Sequence, residues 1–167
     1  MPEQTLRQEF IEGMSRAAAS VSVVTTDGPA GRAGVTVSAM TSISADGEAP
    51  TMLVCLNESA SALAPLLENK CFCINVLAND QQLVSDVFSG RAPAPDGDKF
   101  AAAPFVPGAT GAPRLTSALV SFDCRLVSAE KLGTHHICIG AVEEVHVAHD
   151  GSPLLYGMRS YLRAEKH

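Results

Sequence analysis

Close spacing of strand-length segments constrains this chain more than any other feature of its sequence. Runs rich in β-branched and apolar residues occupy Ser20 to Thr26, Gly34 to Ser44, Thr51 to Asn57, Cys71 to Leu77, Leu119 to Leu126, Ile137 to Val147 and Leu154 to Tyr156. Turn-forming clusters such as Asp27-Gly28-Pro29 and the loop from Gly90 to Gly97 punctuate them. The first two runs are expected to form an antiparallel hairpin whose loop carries Arg32. The third is apolar enough to be expected buried on both faces. Helical patterns are fewer. Leu6, Phe10, Met14 and Ala17 recur every three to four residues over residues 5 to 19. Ser59 or Ser61 can cap a short helix ending near Asn69, although Pro65 weakens its start. Residues 80 to 89 put Leu83, Val87 and Phe88 on one helical face. About six or seven strands at short spacing, with helices only at the N-terminus and in connections, favour a mainly β (α+β) barrel over a doubly wound sheet.

Composition then narrows the functional classes. The 167 residues fit one domain spanning 1–167, and 46% hydrophobic against 18% charged residues describes a globular chain. A net charge of -6 argues against nucleic-acid and anionic-membrane partners, while leaving room for a local phosphate site. No apolar run approaches the roughly 20 residues of a membrane span. Met1 to Ala19 is polar and lacks the apolar block of a secretory signal, so cytoplasmic residence is the expectation. The five cysteines are odd in number and lie in apolar segments, which suits reduced, buried thiols.

Phosphate-loop, GxGxxG, HExxH and GxSxG motifs are missing. Cys71 and Cys73 are spaced to share one strand face, a packing pattern and not a zinc knuckle, and no metal site is expected. Two segments stand out. Thr36-Val37-Ser38-Ala39-Met40-Thr41 alternates hydroxyl and apolar residues, with Thr36, Ser38 and Met40 on one face. Small side chains let a flat ligand reach backbone N–H and C=O groups, although a wet edge strand would show the same pattern. Gly133-Thr134-His135-His136 places histidines where a turn feeds a strand, a position that suits binding residues and also plain strand capping.

Five ordered blocks, SVVTTDGPAGRAGVTVSAMTSIS, PTMLVCLN, ENKCFCINVL, GAPRLTSALVSFDC and GTHHICIG, run through almost the whole chain from about Phe10 to Tyr161. Together they resemble the flavin reductase family with the FMN-binding split-barrel fold, in particular its 4-hydroxyphenylacetate 3-monooxygenase reductase and pyrimidine-utilisation branches. The resemblance implies a split β-barrel of Greek-key topology. It implies that Thr36, Val37, Ser38, Ala39, Met40 and Thr41 line the flavin ring together with Cys55, Leu56 and Asn57. Ser59, Ser61 and Ala62 look like the phosphate-binding turn, where hydroxyls and free N–H groups favour an anion. Phe88 and Ser89 look like the helix end near the cofactor. The family's Gly-Asp-His nicotinamide signature stands here as Gly133-Thr134-His135, followed by Gly140-Ala141-Val142, so Thr134 replaces the acid and His135 is the implied catalytic contact. Arg159 and Tyr161 resemble the family's C-terminal R-x-Y.

The implied activity is NAD(P)H-dependent flavin reduction, NADH preferred, which supplies reduced FMN or FAD to a partner flavin-dependent monooxygenase in a two-component system. The implied assembly is a homodimer. Two other classes remain open from sequence: a flavin- or haem-binding split barrel without turnover, and an FMN-dependent oxidase of a small substrate.

Overall fold

Consecutive strands that end up at opposite edges of one sheet dictate the architecture of the computed structural model, which describes residues 3–167. The first elements are a helix, α1 (Leu6–Ser15), and the strands β1 (Ala19–Ser20), β2 (Ser22–Thr26), β3 (Ala33–Val37), β4 (Met40–Ser44) and β5 (Thr51–Asn57). Then come α2 (Leu63–Asn69), β6 (Cys71–Val76), α3 (Gln82–Phe88), β7 (Phe105–Pro107) and β8 (Pro113–Leu115). Two long strands, β9 (Val120–Leu132) and β10 (His135–Val147), precede the terminal hairpin of β11 (Leu154–Gly157) and β12 (Ser160–Arg163). The main sheet has seven strands in the order β3-β2-β6-β9-β10-β5-β4. Laid flat, its edges would stand about 29 Å apart. Yet β3 and β4 are joined only by Ser38 and Ala39, a link that reaches about 11 Å at most. The sheet therefore has to curl until its edges approach, which makes it a barrel split along one seam.

Inside the barrel Val24, Met52, Val54, Leu56, Leu66, Phe72, Ile74 and Cys124 form the main core. Gly140 belongs to that packing. A Cβ there would lie 2.6 Å from Phe72 Cζ and 2.7 Å from Cys124 Cβ. A second core, including Val21, Val23, Leu77, Val87, Phe88 and Leu154, fills the space between the outer barrel wall, α3 and the terminal hairpin. β2, which lies between the two cores, and β6, whose outer face carries Cys71, Cys73 and Asn75 beneath Ala112 and β8, are buried on both faces. That corrects the expectation for β5, which buries only the face carrying Met52, Val54 and Leu56. The continuous run at Gly34 to Ser44 is likewise two strands. It breaks at Ser38-Ala39 because β3 pairs with β2 while β4 pairs with β5.

The helices also differ from their expected forms. In α3 the inward stripe is Val84, Val87 and Phe88, the regular i, i+3, i+4 set, and Leu83 is 64% exposed. Helix α2 has no side-chain cap, because Ser59 Oγ donates to Asn57 Oδ1 and the N-cap residue is Ala62. Pro65 lies within its first turn, where a missing N–H costs nothing. Helix α1 stops at Ser15 and opens with a capping box between Thr5 and Gln8. None of its residues is buried, and Leu6 is 82% and Phe10 66% exposed. It is tied to the β11–β12 turn by Glu12 to Arg159 at 2.9 Å and by the Met158 N–H on the Ser15 carbonyl.

All five cysteines are free thiols, four of them buried and Cys55 half-buried. Burial pushes the Cys124 thiol up to about 12 and the Cys138 thiol up to about 11, so neither is a nucleophile at neutral pH. No described helix is long and apolar enough to cross a membrane.

Candidate active site at the barrel seam

As an edge strand, β3 leaves one row of its backbone N–H and C=O groups without a strand partner. This is the physical reason the seam is open to a ligand. Beyond the Cys55 N–H, which donates to the Ala39 carbonyl, β5 continues past the end of β4. A hollow of about 220 Å³ lies there, between residues 35 to 39 on one side and Cys55, Leu56, Asn57, Ala60 and His135 on the other. A second hollow, of about 180 Å³, shares Thr36, Val37 and Ser38 as a wall. It is completed by Ser85 and Ser89 of the α3 region, by Arg91, and by Tyr156 and Tyr161 of the terminal hairpin. Together the two reach the lower range of small-molecule sites, roughly 300–1,000 Å³.

The β5-side hollow owes its histidine to a tight turn. Gly133 adopts φ 61, a left-handed conformation that glycine takes without strain, and Leu132 and His135 pair directly across the two-residue link. His135 thus opens β10 opposite Asn57 of β5. Thr134 Oγ1 lies 3.1 Å from His135 Nδ1 and orients the ring, while the Thr134 carbonyl accepts from Glu58 N–H at 2.8 Å. Beside the turn Lys131 pairs with Glu58 at 2.8 Å, and its hydrogen bond holds that carboxyl below its ordinary range. His136 alternates to the opposite face of β10, paired with Leu56, and its Nδ1 has no partner.

The α3-side hollow is held by side chains. Thr36 Oγ1 donates to the Ser85 carbonyl at 2.8 Å, which fastens β3 to α3. Tyr161 donates its hydroxyl to Asp86 Oδ1 at 2.5 Å, with Ser85 Oγ at 2.8 Å. Partial burial and that bond keep the Tyr161 hydroxyl protonated above its usual range. Arg91 lies over the Tyr156 ring at 5.3 Å, with its guanidinium 3.5 Å from the Tyr156 hydroxyl. Its backbone N–H donates to the Asp86 carbonyl at 2.8 Å. Beneath the shared wall Gly34 meets Phe88, where a Cβ would sit 2.6 Å from Cε1.

The structure thus gathers Thr36, Val37, Ser38, Ala39, Cys55, Leu56, Asn57 and His135 around one hollow, with Ser89 and Tyr161 in the next. The others lie outside both linings. Met40 packs against the interior core and Thr41 is exposed. Ser59, Ser61 and the buried Ala62 flank Ala60 without lining the hollow themselves. Phe88 is buried in the outer core, and Arg159 is engaged by Glu12 at the α1 end of the hairpin. Sequence reasoning missed Val21, Val35, Ala60, Ser85, Arg91 and Tyr156. Arg91 follows Ser89-Gly90 in a segment that reads as ordinary surface loop, so no local signal marks it.

Among the described residues no cluster of three His, Cys, Asp or Glu could hold a metal ion. The donor set is instead backbone edges, hydroxyls, an imidazole and one guanidinium, a set that suits a flat heteroaromatic ring with phosphorylated arms.

Comparison with known proteins gives a consistent result. The family model described as "Flavin reductase like domain" matches residues 14–165. The chain is 47% identical over 152 residues to "FMN reductase (NADH) RutF" of Methylorubrum populi, covering 91% of this chain and 73% of that protein. It is 43% identical over 155 residues to the protein of that name in Escherichia coli, covering 93% and 92%. Among solved structures, the styrene monooxygenase flavin reductase of Pseudomonas putida S12 superposes with a TM-score of 0.82 at 26% identity, covering 95% of this chain and 99% of that one.

Proposed function

This chain belongs to the flavin reductase-like domain family, and from that membership we propose a division of labour for its seam: the β5-side hollow takes the flavin ring and His135 meets the nicotinamide. The enzyme is an NADH-dependent flavin reductase of the kind that serves two-component monooxygenases. The observation that carries the reading is the shared wall at Thr36 to Ser38, where an unpaired strand edge faces His135 across a hollow.

The residues present fit a flavin. The free edge of β3 offers alternating N–H and C=O groups to the polar rim of the ring, and Ser38 and Ala39 are small enough to let the ring come close. Bound there, the flavin supplies a two-electron acceptor for the hydride of reduced nicotinamide. The protein's own task is positioning, since hydride transfer needs the reacting atoms within about 3–3.5 Å. Backbone N–H groups of the β3 edge would stabilise negative charge on a reduced ring held there. Thr134 Oγ1–H donated to Nδ1 would leave His135 with an Nε2–H donor, the polarity an amide carbonyl requires. The turn at Ser59 to Ala62, next to Ala60 in the lining, is the proposed seat of the flavin phosphate.

The partners proposed are an oxygenase that accepts reduced flavin and a second copy of this chain. The bare apolar stripe of α1, Leu6, Phe10 and Met14, supports the second copy. A sedimentation mass of one chain at micromolar concentration would remove it. Cytoplasmic residence goes with an enzyme that hands on reduced flavin. The deciding experiment is NADH oxidation with added free FMN or FAD. A rate that rises and saturates with flavin is expected. A protein that binds flavin and ignores NADH would be a carrier, and one that retains flavin while turning over an amine or alcohol would be an oxidase.

A further inference from the structure

The α3-side hollow has a chemistry the flavin ring does not use. Its polar lining consists of hydroxyls, from Thr36, Ser38, Ser85, Ser89 and the two tyrosines, and one cation, Arg91. No carboxylate is part of the lining; Asp86 behind it accepts from the Tyr161 hydroxyl, and its charge reaches Arg91 without forming an ion pair. Arg32, Arg125, Lys131 and Arg159 are each paired with a carboxylate, Asp27, Glu143, Glu58 and Glu12, and the cations that share Arg91's lack of an ion pair, Lys99 and Arg114 among them, line neither hollow. Among the described residues no carboxylate lies within ion-pair distance of Arg91. In a chain of net charge -6, a guanidinium left without a carboxylate and facing hydroxyls across a hollow is set for an anion.

The guanidinium is also preorganised. The Tyr156 ring lies 5.3 Å from it with the ring hydroxyl at 3.5 Å, and the Asp86 carbonyl holds the Arg91 backbone N–H at 2.8 Å. Less side-chain entropy is then lost when a ligand arrives. Resting on the reading above, in which the flavin monophosphate sits by Ala60 in the other hollow, we infer that Arg91 anchors the diphosphate of a dinucleotide cofactor. Two cofactors carry that group, the nicotinamide dinucleotide and FAD, and FMN does not.

The test uses Arg91→Ala and Arg91→Lys in the full chain, with Arg125→Ala as a control that removes one positive charge outside both hollows. ADP binding by calorimetry reads the anion site without turnover. Flavin fluorescence quenching reads FMN and FAD, and the KM for NADH reads the reductant. Arg91→Ala is expected to weaken ADP roughly tenfold, the scale of one charge-assisted contact. A matching rise in the KM for NADH assigns the anchor to the nicotinamide dinucleotide, and a matching loss of FAD affinity assigns it to that flavin. FMN affinity stays unmoved in either case. Arg91→Lys falls between, because it keeps the charge and loses the planar fork. An FMN loss as large as the dinucleotide loss overturns the inference. So does an Arg91→Ala protein that matches Arg125→Ala for every ligand. A wild-type protein that binds ADP through Arg91 yet oxidises no NADH would remove the reductase reading and leave the anion site standing.

Discussion

The two hollows that share β3 are built in opposite ways. On the β5 side the lining is mostly backbone: an unpaired strand edge, small residues at Ser38 and Ala39, and a histidine delivered by a glycine turn. On the α3 side it is mostly side chains, tied through Thr36 to Ser85, Tyr161 to Asp86 and Arg91 to Tyr156. A site made of backbone is as rigid as the sheet it edges. A site made of hydrogen-bonded side chains depends on the packing of the helix and hairpin behind it. On the proposed assignment, the difference separates general recognition of a flat ring from recognition of what is attached to that ring.

The largest effect that could break this contrast is Phe88→Ala. Phe88 is fully buried and packs edge-on to Phe100 at 5.1 Å and against Phe105 at 5.8 Å. Its removal should cost about 3–5 kcal/mol in urea unfolding, the usual range for a buried aromatic. Under folding conditions the α3-side hollow should loosen first, so ADP binding falls further than FMN binding. Equal losses would show that the two hollows stand or fall together and that the division is not one of construction.

The same division explains what could be read from the sequence. The barrel was legible because strand runs and turn clusters are local, and so was the segment from Thr36 to Ala39 that walls the hollows, whose small residues are consecutive. Five ordered blocks of family resemblance added the His135 position. What stayed hidden depends on contacts between distant segments. Residues 34 to 44 look like one strand because nothing local reports that residues 33–37 and 40–44 pair with different neighbours. Leu83 was the wrong helix face because the inward stripe of α3 depends on the outer barrel wall. Arg91 and Tyr156 lie 65 positions apart, and no spacing rule joins them. Arg159 shows the converse: a motif residue that the fold engages with Glu12 of α1, away from either hollow.

A smaller effect would sharpen the contrast from the β5 side. His135→Ala leaves the strand edge and Ser38-Ala39 intact, so FMN affinity should change by less than about twofold while the KM for NADH rises roughly tenfold, as for one lost polar contact. Comparable losses of both would mean that His135 braces the ring and not the nicotinamide.

The smallest perturbation needs no substitution. Cys55 is the half-buried thiol of the five and lines the β5-side hollow. Cys73, Cys124 and Cys138 are fully buried, and burial raises each thiol above its ordinary range, which suppresses the reactive thiolate. A small alkylating reagent at mildly alkaline pH should therefore modify Cys55 first, read by peptide mass. FMN should slow that modification in proportion to occupancy, because the ring covers the hollow, whereas ADP should leave it unchanged, because its anchor lies across β3. Protection by ADP equal to that by FMN would place both ligands in one continuous site, and β3 would then be its floor and not a partition.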